Sequence, residues 1–508
     1  MTTAVAEKTA PPRAGRKEWI ALAVLALPLL LVSMDVSVLY FAVPFISRDL
    51  SASATQQLWI FDIYGFVLAG LLITMGSLGD RVGRRRLLLC GAVAFGAASV
   101  AAAYAQNPAQ LIAARALLGI GGATLMPSTL ALIRNMFHDE RQRAKAIAVW
   151  SAVMMGGISL GPVLAGILLE HFWWGSVFLI NLPAMVLLVV LAPVLLPEFR
   201  NRAEGRFDLL GSVLSLGAVL PVIFGIKRLA TDGFGAGAVG SIAVGAAVGA
   251  AFVAWERRAA NPMLDLAMFH NHAFRGSLMA NTIATFALVG NAVFMTQYLQ
   301  LTLGMGPLRA ALWSLVPSVA VAGAAPLATT LGARHPRGTV MAAGFVVAAC
   351  GFLVLSRLRP DSPLAVVITG AGVLAFGLVV VLTLVTDLVM ATVAPERAGA
   401  ASALVETSGE FGGALGIAVL GSIGAAVYGS HLHPSGLTAA QAHEARQGLA
   451  GAVATSAGLP GSVADQLLTA ARHAYTAGLD TVCWVGAAVL LAAAAATFVQ
   501  LRRASADG

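Results

Sequence analysis

Apolar runs of about twenty residues recur along this chain from Trp19 to Val499, and each is about long enough to cross a hydrocarbon layer some 30 Å thick. A membrane barrel would instead alternate apolar and polar residues in short segments. The chain is therefore expected to be an all-α polytopic membrane protein. Its charge content agrees: of 508 residues only 11% are charged and 58% are hydrophobic, whereas a soluble chain carries roughly a quarter charged residues.

The runs predict fourteen spans, at 19–40, 57–78, 87–105, 109–133, 146–168, 176–196, 208–226, 236–255, 276–299, 310–330, 338–356, 364–390, 400–426 and 478–499. With the N-terminus cytoplasmic, the inside segments hold 23 of the 32 Lys and Arg and the outside segments 8, with Arg115 left inside a span. That asymmetry satisfies the positive-inside rule and places both ends in the cytoplasm. The net charge of +8 thus orients the chain and requires no nucleic-acid partner. Residues 1–18 form a polar cytoplasmic tail carrying Lys8, Arg13, Arg16 and Lys17. The run that follows is too long for a signal-peptide core and reads as a retained span. Cys90, Cys350 and Cys483 fall in three different spans, so no disulfide framework, metal site or other cofactor is expected.

Fourteen spans fit two six-helix bundles, 19–200 and 259–508, with two inserted helices between them at 201–258. A parallel repeat is a frequent plan for transporters; its trace here is faint, a worn copy of the Gly76–Arg86 loop at Leu331–Gly338. The inserted pair is dominated by Ala, Val, Gly and Leu, holds no buried acid and is assigned no chemistry. Gly-rich stretches at Gly156–Gly166 and Gly412–Gly421 let helix backbones approach closely. A long outside loop spans 427–477. In it Thr438–Gln441 and Ser462–Asp465 read as capping boxes that predict a small helical hairpin. Its His431, His433 and His443 match no strong zinc spacing.

Three stretches carry the functional signal. The loop after span two reads Gly76-Ser-Leu-Gly79-Asp80-Arg81-Val-Gly83-Arg84-Arg85-Arg86. A positive-inside anchor explains its arginines but not its Gly–Asp–Gly spacing. Arg115-Ala-Leu-Leu-Gly119 in span four puts a guanidinium in the membrane, where it must pair or face water. In span five, Gly157-Ile-Ser-Leu-Gly161-Pro162-Val-Leu-Ala165-Gly166 combines small residues with a proline that frees a backbone carbonyl.

These stretches resemble the signature motifs of the major facilitator superfamily: its GxLaDrxGrr loop, its buried Arg followed by Gly, and the motif that marks its antiporters. The last usually has Gly where Ala165 stands. Met34-Asp35-Val-Ser-Val-Leu-Tyr-Phe-Ala-Val-Pro44 resembles the first-span motif of the fourteen-span drug:proton antiporter branch, with Tyr40 and Phe41 where small or polar residues are commoner. Gln57–Tyr64 and Glu406–Glu410 are similar to that branch too, which includes QacA-type and LfrA-type multidrug exporters and antibiotic-specific self-resistance exporters. The resemblance covers nearly the whole chain and implies alternating access. It implies a conformational latch at Gly76, Asp80, Arg81 and Gly83, holding the first bundle together in the outward-open state. It implies a part in proton transfer for Arg115, beside the plainer reading of a structural partner to a carbonyl or carboxylate. Gly157, Gly161, Pro162 and Gly166 would be the antiporter motif.

Asp35, Asp62, Glu406 and Glu410 fall well inside predicted spans, and an acid near mid-membrane costs at least about 2.5 kcal/mol. Such acids mark proton relays and cation sites. Glu406 and Glu410 stand i, i+4, about 6 Å apart on one face of span thirteen, too close in low dielectric for both to stay ionised. One site can then load a proton or attract a cation, and that competition couples the two fluxes. Hydrogen bonding to neighbouring helices is the structural alternative for the two glutamates. Asp387, near the cytoplasmic end of span twelve, is a further candidate. The wall of such a cavity should be apolar and aromatic, with Trp59, Tyr64 and Trp150 as candidates, although Trp59 and Trp150 lie near span ends where interfacial anchors concentrate.

The expected function is proton-coupled export of lipophilic, mostly cationic drugs and dyes across a bacterial cytoplasmic membrane by a monomer: quaternary ammonium compounds, ethidium-like dyes and fluoroquinolones. Its partners are those drugs, protons and the bilayer. The alternative is an exporter dedicated to one endogenous antibiotic or another neutral or anionic metabolite, which predicts an intramembrane cation at the binding site. A channel or sensor that binds cations without pumping is a third reading, told apart by accumulation against a gradient. No Walker loop, His-Glu-x-x-His or Cys-x-x-Cys appears, which argues against an enzyme and against direct ATP drive.

Overall fold

A computed structural model describes residues 14–52, 54–199, 208–232, 235–259, 266–393, 398–434 and 436–504. In order the helices are α1 (Arg16–Leu50), α2 (Ala54–Val82), α3 (Arg84–Ala103), α4 (Pro108–Met136), α5 (Glu140–His171), α6 (Ser176–Leu179), α7 (Asn181–Leu195), α8 (Leu209–Asp232) and α9 (Ala236–Glu256). After a 3₁₀ turn at Leu266–His270 come α10 (His272–Gln297), continued by a π-helical turn at Tyr298–Thr302, then α11 (Pro307–Ala322), α12 (Ala324–Arg334), α13 (Arg337–Leu355), α14 (Leu364–Thr392) and α15 (Ala398–His431). The chain closes with α16 (Ala439–Arg446), α17 (Leu449–Ser456) and α18 (Gly461–Ala504). Among the described residues there is no strand.

Every predicted span overlies one of these helices or a broken pair of them. Ten stretches are long and apolar enough to cross a membrane, or eleven if the two limbs of α5 count as one span. The three remaining predicted spans lie on α2, on α8 and on the pair α11 and α12. Apolar stretches run over Ile63–Leu72 of α2 and Val213–Ile226 of α8. Predicted span ten is broken at Gly323 into α11 and α12, of 16 and 11 residues.

The faint repeat in the sequence is plain in the packing. Among the first seven helices, α1 lies on α5, α2 and α3 on α4, and α3 on α7. Among the last nine, α10 lies on α15, α11 and α13 on α14, and α13 on α18. The second set repeats the neighbour pattern of the first. Close approach depends on missing side chains: a β-carbon built on Gly416 of α15 would meet the carbonyl oxygen of Phe286 on α10 and lie 3.1 Å from its Cα. Contacts between the sets run through α5 against α11 and α2 against α15, while α8 touches both α2 and α15.

The limbs of α5, Lys145–Ile158 and Leu160–His171, meet at 41°. Pro162 accounts for the bend, because its ring opposes the carbonyl four residues earlier, at Ile158. The long outside loop departs from expectation. The capping box at Thr438 forms and opens α16, but α17 follows it, and the second proposed box lies in the first turn of α18. Residues 461–504 contain no proline to stop a helix, so the last helix runs unbroken for 44 residues instead of forming half of a hairpin.

A paired substitution on α15 isolates the value of close packing. Gly416→Ala should lower the melting temperature of the detergent-solubilised protein, overpacking costing about 1–3 kcal/mol. Gly421→Ala on the same helix, where a β-carbon meets nothing within 4 Å, should leave it unchanged or slightly higher.

Candidate functional site

The site starts from an ion pair with almost no access to water. Arg115 of α4 donates to the carboxylate of Asp35 on α1 at 2.6 Å, and their side chains are 0% and 3% exposed. The other terminal nitrogen of Arg115 donates to the Phe61 carbonyl of α2 at 3.2 Å. Its guanidinium carbon lies 5.1 Å from the ring centroid of Tyr64, a cation–π distance. The Tyr64 hydroxyl donates back to the Val32 carbonyl of α1 at 3.4 Å. One guanidinium thus ties three helices together, and the Arg115 Nε is buried with no hydrogen-bond partner among the described residues.

The residues flanking this pair explain two of the motif spacings. A β-carbon on Gly119, one turn after Arg115, would lie 2.6 Å from the Tyr64 carbonyl oxygen, so glycine is what lets α4 reach α2. On α5, a β-carbon at Gly157 would stand 2.7 Å from the Leu30 carbonyl oxygen, and one at Gly161 would meet Ser37 and the Met34 carbonyl. The antiporter-like motif therefore packs directly behind the turn that carries Asp35. Its last glycine, Gly166, instead abuts Leu308 of α11.

From the second helix set, Glu410 of α15 lies against Gly65 of α2. Tyr64 is within electrostatic reach of Asp35, Arg115, Glu410 and Glu406, and Tyr40 of Glu410. Glu406 is exposed and has no hydrogen bond or ion pair among the described residues. Three of the four predicted intramembrane acids are thereby gathered around Tyr64. The side chain of the fourth, Asp62, lies outside the described residues, as does that of Asp80. Asp387 is exposed on α14.

The aromatic candidates separate. Tyr64 is buried beneath Arg115. Trp59 stacks on Phe224 of α8 at 5.5 Å, on the seam with the inserted pair. Trp150 donates to the Thr129 hydroxyl at 3.2 Å, joining α5 to α4. Tyr40 stacks on Phe61 at 5.3 Å, beside the carbonyl that Arg115 holds.

In the Gly76–Arg86 stretch, Gly83 adopts φ +115°, a left-handed conformation that favours glycine. Beyond it the chain docks on the end of α7: the Arg84 amide donates to the Phe199 carbonyl at 3.0 Å, and the Arg85 guanidinium to the Pro193 and Leu196 carbonyls. Glu198 accepts from the Arg85 amide at 3.1 Å and faces the guanidinia of Arg85 and Arg86 at 3.6 and 3.8 Å. Sequence reasoning overlooked Glu198. Its signal was an acid immediately after span six, in an inside segment where arginines outnumber acids.

The family pattern of the Major Facilitator Superfamily matches residues 25–417. The chain belongs to this superfamily. It is a multi-pass membrane transporter and not an enzyme. It is 44% identical over 505 residues to the multidrug efflux pump LfrA of Mycolicibacterium smegmatis, covering 99% of this chain and 100% of that one. It is 34% identical to the methyl viologen resistance protein SmvA of Salmonella typhimurium, covering 90% and 93%. It is 31% identical to the tetracenomycin C resistance and export protein of Streptomyces glaucescens, covering 95% and 92%. The fold is similar to that of a bacterial homolog of the human lysosomal transporter Spinster, in its inward-facing and unoccupied conformation, with TM-score 0.66 at 17% identity over 96% and 98% of the two chains. A peptide transporter POT bound to sulfate matches with TM-score 0.62 at 16% identity over 94% and 95%.

Membership of this superfamily leaves the energetics of the buried pair to be measured. Arg115→Met strands the Asp35 carboxylate and should destabilise the protein by about 3–5 kcal/mol. The double variant Asp35→Leu/Arg115→Met should recover most of that loss in a detergent melting series, since replacing both charges leaves none stranded. A double variant no more stable than Arg115→Met would show that the charges are not a coupled pair.

Proposed function

We propose that this chain is a proton-coupled antiporter that exports lipophilic, mostly cationic drugs and dyes across a bacterial cytoplasmic membrane, thereby conferring resistance. The observation that carries the reading is the gathering of Asp35, Glu406 and Glu410 around Tyr64. Acids from both helix sets stand within one electrostatic neighbourhood, in helices otherwise built to exclude charge. Such a cluster attracts a cation when ionised and releases it when protonated. Its relatives, a multidrug efflux pump and a methyl viologen resistance protein, support the reading.

In this proposal fourteen spans form two six-helix bundles plus the inserted pair, both termini are cytoplasmic, and a monomer works by alternating access. Gly76, Asp80, Arg81 and Gly83 act as the latch, with Glu198 as the anchor on α7. The alternative, an anionic or neutral metabolite, asks for a cation free to meet substrate. Arg115 is engaged by Asp35 and the Phe61 carbonyl, which disfavours it.

The energy source is tested with an uncoupler. One charge moved through 100 mV contributes about 2.3 kcal/mol, so dye efflux should stop when the proton gradient collapses, even with ATP maintained. Asp35→Asn should abolish efflux of every substrate when efflux is measured per folded molecule in the membrane, a normalisation it needs because it also strands the buried Arg115 guanidinium. Persistent efflux in either experiment overturns the assignment it tests.

Recognition is tested separately. Glu406→Gln and Glu410→Gln should impair dicationic dyes more than monocationic ones, because two charges gain more from each carboxylate in a low-dielectric cavity. Asp80→Asn, in the latch, should slow both classes by a similar factor. Equal losses for both classes in the α15 variants would assign those glutamates to the proton or the fold.

A further inference from the structure

We propose that Gly65 is a positioning residue for Glu410: the side chain it lacks leaves a notch on α2 that holds this carboxylate beside the Asp35–Arg115 pair. The proposal deepens the reading above and rests on it for what the placement accomplishes. The fit is tight. A β-carbon built on Gly65 would overlap one Glu410 carboxylate oxygen, lie 2.8 Å from the carboxyl carbon and 3.2 Å from the second oxygen. Every heavy atom of the carboxylate thus occupies or borders the space a methyl group would take.

The neighbours on each helix fix the register of this contact. Tyr64, immediately before Gly65, has its ring beneath the Arg115 guanidinium. Phe66, immediately after it, is buried with Ala414, one helical turn beyond Glu410. Trp59, Phe411, Val219 and Leu220 pack around that apolar pair. The last two belong to α8, so the inserted helix closes the flank of the seam where α2 and α15 meet. An acid arriving from the second helix set is therefore seated one residue from the aromatic ring that carries the first set's buried cation. The helix itself gives no reason for glycine here, because alanine is the better helix former. The reason is the carboxylate.

The geometry predicts compensation. Gly65→Ala fills the notch, and Glu410→Asp withdraws the carboxylate by up to about 1.5 Å, one carbon–carbon bond, restoring room for it. Efflux of a dicationic and a monocationic dye would be measured for the wild type, both single variants and the double variant, with KM and Vmax separated. Gly65→Ala should raise the KM for the dicationic dye about tenfold, and the double variant should return it to within about threefold of wild type, the non-additivity of a direct contact. The monocationic dye should change less. The same four proteins would be melted in detergent without substrate. Non-additive melting reports the contact whatever is carried and whatever drives it.

If melting is non-additive but an uncoupler leaves efflux running, the proposed function falls and the notch stands. If the Gly65→Ala defect is absent, or is the same in the Glu410→Asp background in both assays, the notch falls and the proposed function stands. Should Gly65→Ala fail to accumulate, Gly65→Ala/Glu410→Ala must accumulate; failure of both overturns the proposal.

Discussion

A single buried guanidinium organises the first helix set. Arg115 has no water to solvate it, and stranding such a charge costs several kcal/mol. Two neighbouring helices are therefore bound to supply its partners: the Asp35 carboxylate from α1, and the Phe61 carbonyl and Tyr64 ring from α2. The arrangement has consequences outward from the charge. Gly119 must be small so that α4 can approach α2, and Gly157 and Gly161 must be small so that α5 can lie behind Asp35. Motifs that look separate along the chain are thus successive shells around one ion pair.

The second helix set repeats the neighbour pattern of the first without repeating its charges. In the first set α1 and α4 meet through an ion pair; in the second, α10 and α15, the counterparts of α1 and α5, meet through neutral groups: Asn281 donates to the Val405 carbonyl and to the Ser408 hydroxyl, and Thr282 to the Ser408 carbonyl. Its acids, Glu406 and Glu410, stand within electrostatic reach of Tyr64. This division of labour suits a machine in which one half holds a fixed charge pair and the other brings acids to it. The inserted α8, which sequence gave no chemistry, sits against both α2 and α15 at that meeting point.

What could be read in the amino-acid string was whatever has a local period or a local cost. Span positions followed from apolar runs, the α5 bend from Pro162 and the α16 start from Thr438, and the expense of placing charge in an apolar helix singled out Asp35, Arg115 and Glu410 as candidates. What could not be read was pairing. Asp35 and Arg115 are 80 residues apart, Arg85 and Glu198 are 113 apart, and no local pattern announces a partner. Gly65 was invisible because a glycine that serves as a notch looks like any other glycine in a membrane helix. Trp59 was read as a cavity wall for its chemistry, yet its partner is Phe224 of the inserted pair. The unbroken length of α18 was missed because a capping box marks a beginning but not how far the helix will run.

The unbroken run of α18 has an architectural result. At about 1.5 Å per residue its 44 residues extend some 66 Å, roughly twice the depth of the apolar layer they cross. One end must stand clear of the bilayer as a mast. The short helix α17 packs beside it and α16 packs on α17, with Tyr428 tethering the end of α15 to the Ala445 carbonyl at 2.9 Å. That end of the protein is therefore lopsided, with α17 and α16 forming a raised parapet beside the last helix of the second set.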